Sequence, residues 1–146
     1  MENNIPKNWL ITGGCGFIGT NLVKHLVDHY TSNIKIIDNL SVGDRNDLSE
    51  VCDFEEIDDP NQNFNGQVQL FVGEIKNRRL AKEITQNVDC IVHLAANTGV
   101  QPSIEDPFND CQTNVLGTLN YLEAARINKV SKFVFASSGA PLGKQD

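Results

Sequence analysis

The stretch Thr12-Gly-Gly-Cys-Gly-Phe-Ile-Gly19 decides the fold of this chain, because its spaced glycines stand between an apolar run and an apolar helical pattern. The run Trp9-Leu-Ile-Thr12 precedes it, and apolar residues recur at helical spacing after it. Gly13 permits a tight turn, Gly16 lets the backbone approach a pyrophosphate, and Gly19 allows close helix packing. The pattern predicts a strand, a turn and a helix whose N-terminus binds phosphate. A glycine-rich turn that binds nothing is the alternative.

Downstream of this turn, short apolar runs alternate with stretches of helical periodicity. We expect strands at Ile34–Asp38, Val68–Val72, Val88–Leu94 and Lys132–Ala136, and helices at Leu80–Ile84 and Asn109–Asn128. The acidic segment from Asp44 to Asp59 predicts a solvated loop or a fraying helix rather than a metal site. Alternating apolar strands and helices predict an α/β fold with a doubly wound parallel sheet that is truncated after its fifth strand.

Length, charge and cysteine content limit the class of protein. The 146 residues fit one domain, and a net charge of −7 with a pI near 4.8 argues against a nucleic-acid partner. The four cysteines are too widely spaced for a zinc site or a compact disulfide framework, which favours a reducing cytoplasm. The N-terminal residues lack an apolar signal core, and no run is long enough to span a membrane, so we expect no membrane partner.

Asp38 closes the second expected strand, 19 positions after Gly19. A carboxylate at an offset of about 20 residues accepts hydrogen bonds from the ribose hydroxyls of adenosine in dinucleotide-binding folds. It would also repel a 2′-phosphate, so the sequence favours NAD over NADP. An ordinary aspartate that caps a turn is the alternative.

Six ordered segments resemble the extended short-chain dehydrogenase/reductase family, specifically its NAD-dependent nucleotide-sugar epimerases and dehydratases. The segments are TGGCGFIG (12–19), DNLSVG (38–43), GEI (73–75), HLAA (93–96), NVLGT (114–118) and FASSG (135–139). The resemblance covers nearly the whole chain. It implies a Rossmann-type fold, bound NAD, a nucleotide-sugar substrate and a possible homodimer formed through the helix at Asn109–Asn128.

The resemblance also implies where the cofactor lies. The backbone at Phe17 and Ile18 would contact the pyrophosphate, and Glu74 stands where the family has an aspartate that accepts from the adenine amino group. The expected cofactor-binding residues are Gly13, Gly16, Phe17, Ile18, Gly19, Asp38, Asn39, Leu40, Ser41, Gly43, Glu74, Ile75, Leu94, Ala95, Ala96, Thr98 and Asn114. We expect His93 to be a hydrogen-bonded residue of the strand end rather than a catalytic base.

Ser138 aligns with the family's catalytic serine or threonine, which orients the sugar hydroxyl that is oxidised. Ser103 is a candidate substrate contact. The family also needs a Tyr-x-x-x-Lys pair, in which the lysine lowers the pKa of the tyrosine, and this sequence contains none. We therefore expect residues 1–146 to be the NAD-binding domain of a larger enzyme and to be inactive alone, because the substrate region is missing.

The resemblance favours a nucleotide-sugar 4-epimerase of the UDP-hexose type, which passes a hydride to NAD and returns it to the opposite face of the sugar. The related 4,6-dehydratases carry Thr-Asp-Glu from the position of Ser138, where this chain has Ser138-Gly139-Ala140. A dehydratase, reductase or decarboxylase of the same family, or a non-catalytic NAD-binding module, is the alternative.

Overall fold

The computed structural model describes residues 5–66 and 68–138, and its core is a parallel sheet of six strands in the order β3-β4-β2-β1-β5-β6. The strands are β1 (Asn8–Thr12), β2 (Asn33–Asp38), β3 (Phe54–Glu56), β4 (Val68–Val72), β5 (Cys90–His93) and β6 (Lys132–Phe135). The helices are α1 (Phe17–His29), α2 (Arg45–Ser49), α3 (Arg78–Ile84), α4 (Val100–Glu105), α5 (Pro107–Cys111) and α6 (Thr118–Asn128).

Successive residues of the central strands pack on opposite faces of the sheet, as strand geometry requires. Leu10 of β1 belongs to the cluster formed with α3 and α6, in which Tyr121 is fully buried. Ile11 belongs to the other cluster, with Val23 and Leu26 of α1. Helices thus cover both faces, and the expected doubly wound α/β fold is confirmed.

The strand order places a crevice where the site is expected. The chain passes from β1 to β2 on one side and later returns to β5 on the other side of β1, pairing in parallel with both. The loops that follow β1 and β5 therefore separate at the carboxyl edge of the sheet. Ligands of open α/β folds bind at such a switch point.

The sheet has one strand more than the five that we expected. Phe54–Glu56 forms β3, an edge strand that pairs in parallel with β4, so the acidic segment is not a loop or a fraying helix alone. The preceding helix α2 begins at a capping box in which Asp44 accepts from the amide of Asp47. The guanidinium of Arg45 donates to both carboxylate oxygens of Glu56, at 2.6 and 2.8 Å, and so ties α2 to this strand. The strand expected as the fifth is β6.

The expected helix at Asn109–Asn128 begins earlier and is not uniform. It starts with α5, for which Asp106 supplies the cap by accepting from the amide of Asn109 at 3.0 Å. A π-helical turn, Gln112–Gly117, joins α5 to α6. None of the helices in the described ranges is long and apolar enough to cross a membrane.

Candidate functional site

A cavity of about 580 Å³ opens at the carboxyl ends of the strands. All of the expected cofactor residues except Leu40 and Asn114 line it. The wall residues that were not among those expected to bind the cofactor are Ile37, Val42, Gly73, Lys76, Asn97, Asn109, Thr113 and Ala136. The fold therefore brings together the glycine-rich turn, the loop after β2, the loop after β4 and the loop after β5.

The glycine-rich turn brings the backbones of two neighbouring strand ends into contact. Gly13 has a φ of +71°, and a Cβ there would lie 2.8 Å from the amide nitrogen of Ala95. A Cβ on Gly19 would lie 2.6 Å from the Cα of Gly14, so the first turn of α1 packs directly on the loop. Because backbone atoms cannot move aside cheaply, both positions require glycine.

The N-terminus of α1 faces this cavity through Gly16, Phe17 and Ile18. No side chain caps the helix, and its first turn contains no acidic residue. The first amide groups of a helix lack intrahelical partners, and the helix dipole places partial positive charge there. This end of the cavity is therefore suited to a phosphate group.

Asp38 connects the turn to the loop after β2. The residue is 8% exposed, and its carboxylate accepts hydrogen bonds from the amides of Cys15 and Leu40, each at 2.9 Å. Leu40 has a φ of +57° and contributes to the site by its backbone rather than by lining the cavity. The same loop packs so closely on the glycine-rich turn that a Cβ on Gly43 would collide with the carbonyl of Cys15.

Asn39 and Glu74 close the cavity between the ends of β2 and β4. The amide Nδ2 of Asn39 donates to Oε1 of Glu74 at 3.1 Å, and its Oδ1 accepts from the hydroxyl of Ser41 at 2.7 Å. Nearby, the ammonium group of Lys76 donates to Oδ1 of Asn109 at 3.1 Å. This end of the cavity thus offers amide and carboxylate groups of the kind that hydrogen-bond a planar heterocycle.

Asn114 lies behind the cavity wall. Its Oδ1 accepts from the amide of Asn97 at 2.8 Å, and its Nδ2 donates to the carbonyl of Asn97 at 2.9 Å and to Asp110 at 3.0 Å. The Asn114 side chain thus provides hydrogen-bond partners for both the backbone N–H and the backbone C=O of Asn97, a loop residue that has no neighbouring strand. The structure places Asn114 in the π-helical turn, a feature that is frequent at functional sites.

His93 is 1% exposed at the end of β5, and burial lowers its pKa to about 4. Its Nδ1 lies 2.8 Å from the hydroxyl oxygen of Thr12, and its Nε2 lies 3.1 Å from that of Thr118. The expectation of a hydrogen-bonded residue of the strand end is confirmed. At neutral pH the imidazole carries no charge.

Two expected substrate contacts lie outside the cavity wall. Ser138 is exposed and lies two residues beyond Ala136, which lines the cavity. Ser103 donates to the carbonyl of Val100 at 2.7 Å and does not line it. Gly139 and Ala140, which follow Ser138 in sequence, lie outside the described residues. The cavity wall thus includes residues that were expected to bind the cofactor but not those expected to contact the substrate.

The sequence model of the family described as GDP-mannose 4,6 dehydratase matches residues 10–146. A putative UDP-glucose 4-epimerase from Methanocaldococcus jannaschii is 35% identical over 131 residues, which are 89% of this chain and 37% of that protein. A dTDP-glucose 4,6-dehydratase from Mycolicibacterium smegmatis is 36% identical over 124 residues, which are 83% of this chain and 33% of that protein. The chain thus spans about a third of the length of these relatives.

Solved structures show the same similarity. The UDP-glucose 4-epimerase of Thermus thermophilus, in complex with NAD, superposes with a TM-score of 0.72 at 32% identity, covering 90% of this chain and 38% of that one. The sequence family, the curated relatives and the fold agree with the six ordered segments of the sequence. The chain therefore belongs to the GDP-mannose 4,6 dehydratase family of nucleotide-sugar epimerases and dehydratases.

Proposed function

We propose that this chain is the NAD-binding portion of a nucleotide-sugar 4-epimerase of the UDP-hexose type. The observation that carries the proposal is a single cavity that contains both an uncapped helix N-terminus and the buried carboxylate of Asp38. A dinucleotide needs these two groups, one for its pyrophosphate and one for its ribose.

The residues present fit NAD. A carboxylate has about four acceptor positions, and the amides of Cys15 and Leu40 use two of them, so Asp38 can still accept from two ribose hydroxyls. The small side chains of Ala95 and Ala96 leave space above the end of β5 for a flat ring. NAD, when bound, supplies the acceptor for a hydride from a sugar carbon.

Ser138 is the proposed catalytic residue of this portion. Its hydroxyl would hydrogen-bond the sugar hydroxyl that loses a proton and so orient it. The tyrosine and lysine that complete the family's site have no counterpart in this sequence, so we infer that residues 1–146 alone do not turn over substrate. A non-catalytic NAD-binding module would share this property.

The sequence Ser138-Gly139-Ala140 favours the epimerase over the dehydratase. Epimerisation removes a hydride and a hydroxyl proton from the sugar and then returns both, whereas elimination of water also needs an acid to protonate the leaving hydroxyl. The Thr-Asp-Glu of the dehydratases supplies carboxyl groups that are absent at these positions.

The test uses the native polypeptide that contains this chain, incubated separately with UDP-glucose and dTDP-glucose and followed by proton NMR. We expect interconversion of UDP-glucose and UDP-galactose. Formation of a 4-keto-6-deoxy sugar would instead identify a dehydratase, and net reduction or loss of carbon dioxide would identify a reductase or a decarboxylase. NAD binding without turnover of any nucleotide sugar would leave the binding module as the function.

We further infer that the protein dimerises and works in the cytoplasm. Val115 of the π-helical turn and Leu119 and Leu122 of α6 are exposed, and an uncovered apolar face of this kind favours association. All four cysteines are unpaired, which fits a reducing compartment. Sedimentation equilibrium of the native polypeptide, compared with a Leu119→Lys variant, tests the dimer.

A further inference from the structure

His93 lies between two threonine hydroxyls, and the one on Thr118 fixes where the imidazole carries its proton. The Thr118 hydroxyl lies 2.7 Å from the carbonyl oxygen of Asn114, which can only accept a hydrogen bond. The hydroxyl proton therefore points to Asn114. Its oxygen must then accept from Nε2 of His93, 3.1 Å away, so this nitrogen carries the imidazole proton.

The other imidazole nitrogen then determines the role of Thr12. A neutral imidazole with its proton on Nε2 accepts at Nδ1, so the Thr12 hydroxyl donates to His93 over 2.8 Å. The Thr12 oxygen keeps its lone pairs for the amides of Leu94 and Ala95, both at 3.1 Å. These two residues line the cavity.

We propose that His93, as the neutral Nε2–H tautomer, is a positioning residue that fixes the cavity wall formed by residues 94–97. Its ring joins two supports of that wall: the Thr12 hydroxyl, which holds the amides of Leu94 and Ala95, and the π-helical turn, whose Asn114 holds the backbone of Asn97. Its consequence for NAD binding rests on the proposed function, whereas its consequence for the wall does not.

The packing around the ring supports a single orientation and a neutral state. The ring stacks on Tyr121 with centroids 5.5 Å apart, and the rings of Phe133 and Phe135 lie at 6.0 and 6.3 Å. Tyr121 is the titratable group among these neighbours, and burial raises its pKa, so it stays neutral as well. An imidazolium would donate from both nitrogens, and Thr12 could then no longer donate to it.

Two variants separate the hydrogen bonds from the packing. His93→Phe keeps an aromatic ring but removes both hydrogen bonds, and Thr118→Val removes only the link to the π-helical turn. Thr85→Val is the matched control, because the Thr85 hydroxyl also donates to the carbonyl four residues earlier and accepts from an amide side chain, Asn128. Thr85 is fully buried whereas Thr118 is half-buried, and Thr85 lies on the C-terminal side of α3, outside the cavity wall.

The measurements are long-range ¹H–¹⁵N NMR of the imidazole, amide hydrogen exchange and calorimetric titration with NAD, all on the 146-residue chain. The signal that disappears in His93→Phe identifies His93, and we expect the Nε2–H pattern at pH 7. Both variants should speed hydrogen exchange at the amides of Ala95 and Asn97 in the wall by about tenfold more than at the amides of α1. A change of this size is expected when one or two hydrogen bonds are lost. Thr85→Val should not.

An Nδ1–H pattern, or wall exchange that changes no more than in Thr85→Val, would overturn the proposal. If His93→Phe does not fold, Thr118→Val decides by the same exchange comparison, and the imidazole signal that shifts in Thr118→Val identifies His93 for the tautomer test. Absence of NAD binding in both the unsubstituted chain and the native polypeptide that contains it would contradict the cofactor part of the proposed function. The tautomer and exchange results would still decide this inference by themselves.

Discussion

Replacing Gly16 by alanine separates binding of the cofactor from stability of the fold. A Cβ at this position would have the carbonyl oxygen of Gly13 as its nearest neighbour, at 3.4 Å, which is an ordinary contact. Gly16 has a φ of −76°, which alanine adopts readily. Alanine is a poorer helix cap than glycine, which lowers the stability of the fold. It also restricts the unfolded chain more, which raises the stability, so the two effects oppose each other. We expect the free energy of unfolding to change by less than about 0.5 kcal/mol.

Binding should respond differently, because Gly16 lines the cavity at the N-terminus of α1. In the proposed site the pyrophosphate lies against this backbone, and the added methyl group would occupy the same space. Overpacking of this kind costs about 1–3 kcal/mol, so the dissociation constant for NAD should rise about 5- to 150-fold. Calorimetric titration with NAD and urea denaturation of the same preparations measure the two effects.

Gly19→Ala is the matched control with the opposite expectation for stability. Its Cβ would lie 2.6 Å from the Cα of Gly14 and also against the carbonyl of Gly13, both of which are backbone atoms. We expect it to lower the free energy of unfolding by about 3 kcal/mol. A folded Gly16→Ala chain that binds NAD as tightly as the unsubstituted chain would refute the placement of the pyrophosphate. Equal destabilisation by the two substitutions would refute the argument from space.

Three further substitutions test other parts of the molecule. Asp38→Ala leaves two backbone amides without their acceptor and removes the charge that repels a 2′-phosphate, so calorimetry should show NAD binding weakened more than about tenfold and less preference over NADP. Lys35→Met removes the hydrogen bonds from the buried Nζ to two loop carbonyls and should cost about 1–3 kcal/mol in urea denaturation with unchanged NAD affinity. Burial lowers the pKa of His93 from 6.5 to about 4, so between these pH values the unfolded chain binds more protons than the folded chain. The free energy of unfolding should therefore fall by about 3 kcal/mol as the pH drops from 6.5 to 4. His93→Phe should lack this component when urea midpoints of both proteins are compared from pH 7 to pH 4.

The strand, turn and helix at the N-terminus could be predicted because their signals are local. Apolar residues before the glycines, helical spacing after them and a carboxylate at the end of the next strand are each visible in the sequence. The structure places these elements as expected, with Asp38 on the cavity wall beside the turn. The exact partners of Asp38, two backbone amides from different loops, depend on tertiary contacts and were not visible.

The elements that were missed carry weak local signals. Phe54–Glu56 has three residues, two of them acidic, and becomes a strand because β4 offers a free edge. Val100–Glu105 contains Pro102, which normally argues against a helix, and it is accommodated here within the first turn. The strand β3 depends on a neighbouring strand, and the helix α4 depends on proline being tolerated in the first turn of a helix. Residue propensities alone reveal neither of these.

Asn114 shows how the sequence can indicate a residue near the cavity without revealing what its side chain does there. An amide within an apolar helical pattern is costly unless it is hydrogen-bonded, so the pattern predicts a hydrogen-bond partner for this side chain. The partner turned out to be the backbone of Asn97, which lies in a loop beyond the end of β5 and so lacks a neighbouring strand. A single side chain supplies the acceptor and the donor that a strand would otherwise provide. It follows that Asn114 acts on the cavity through the wall it supports, and that the position of this wall depends on the π-helical turn behind it.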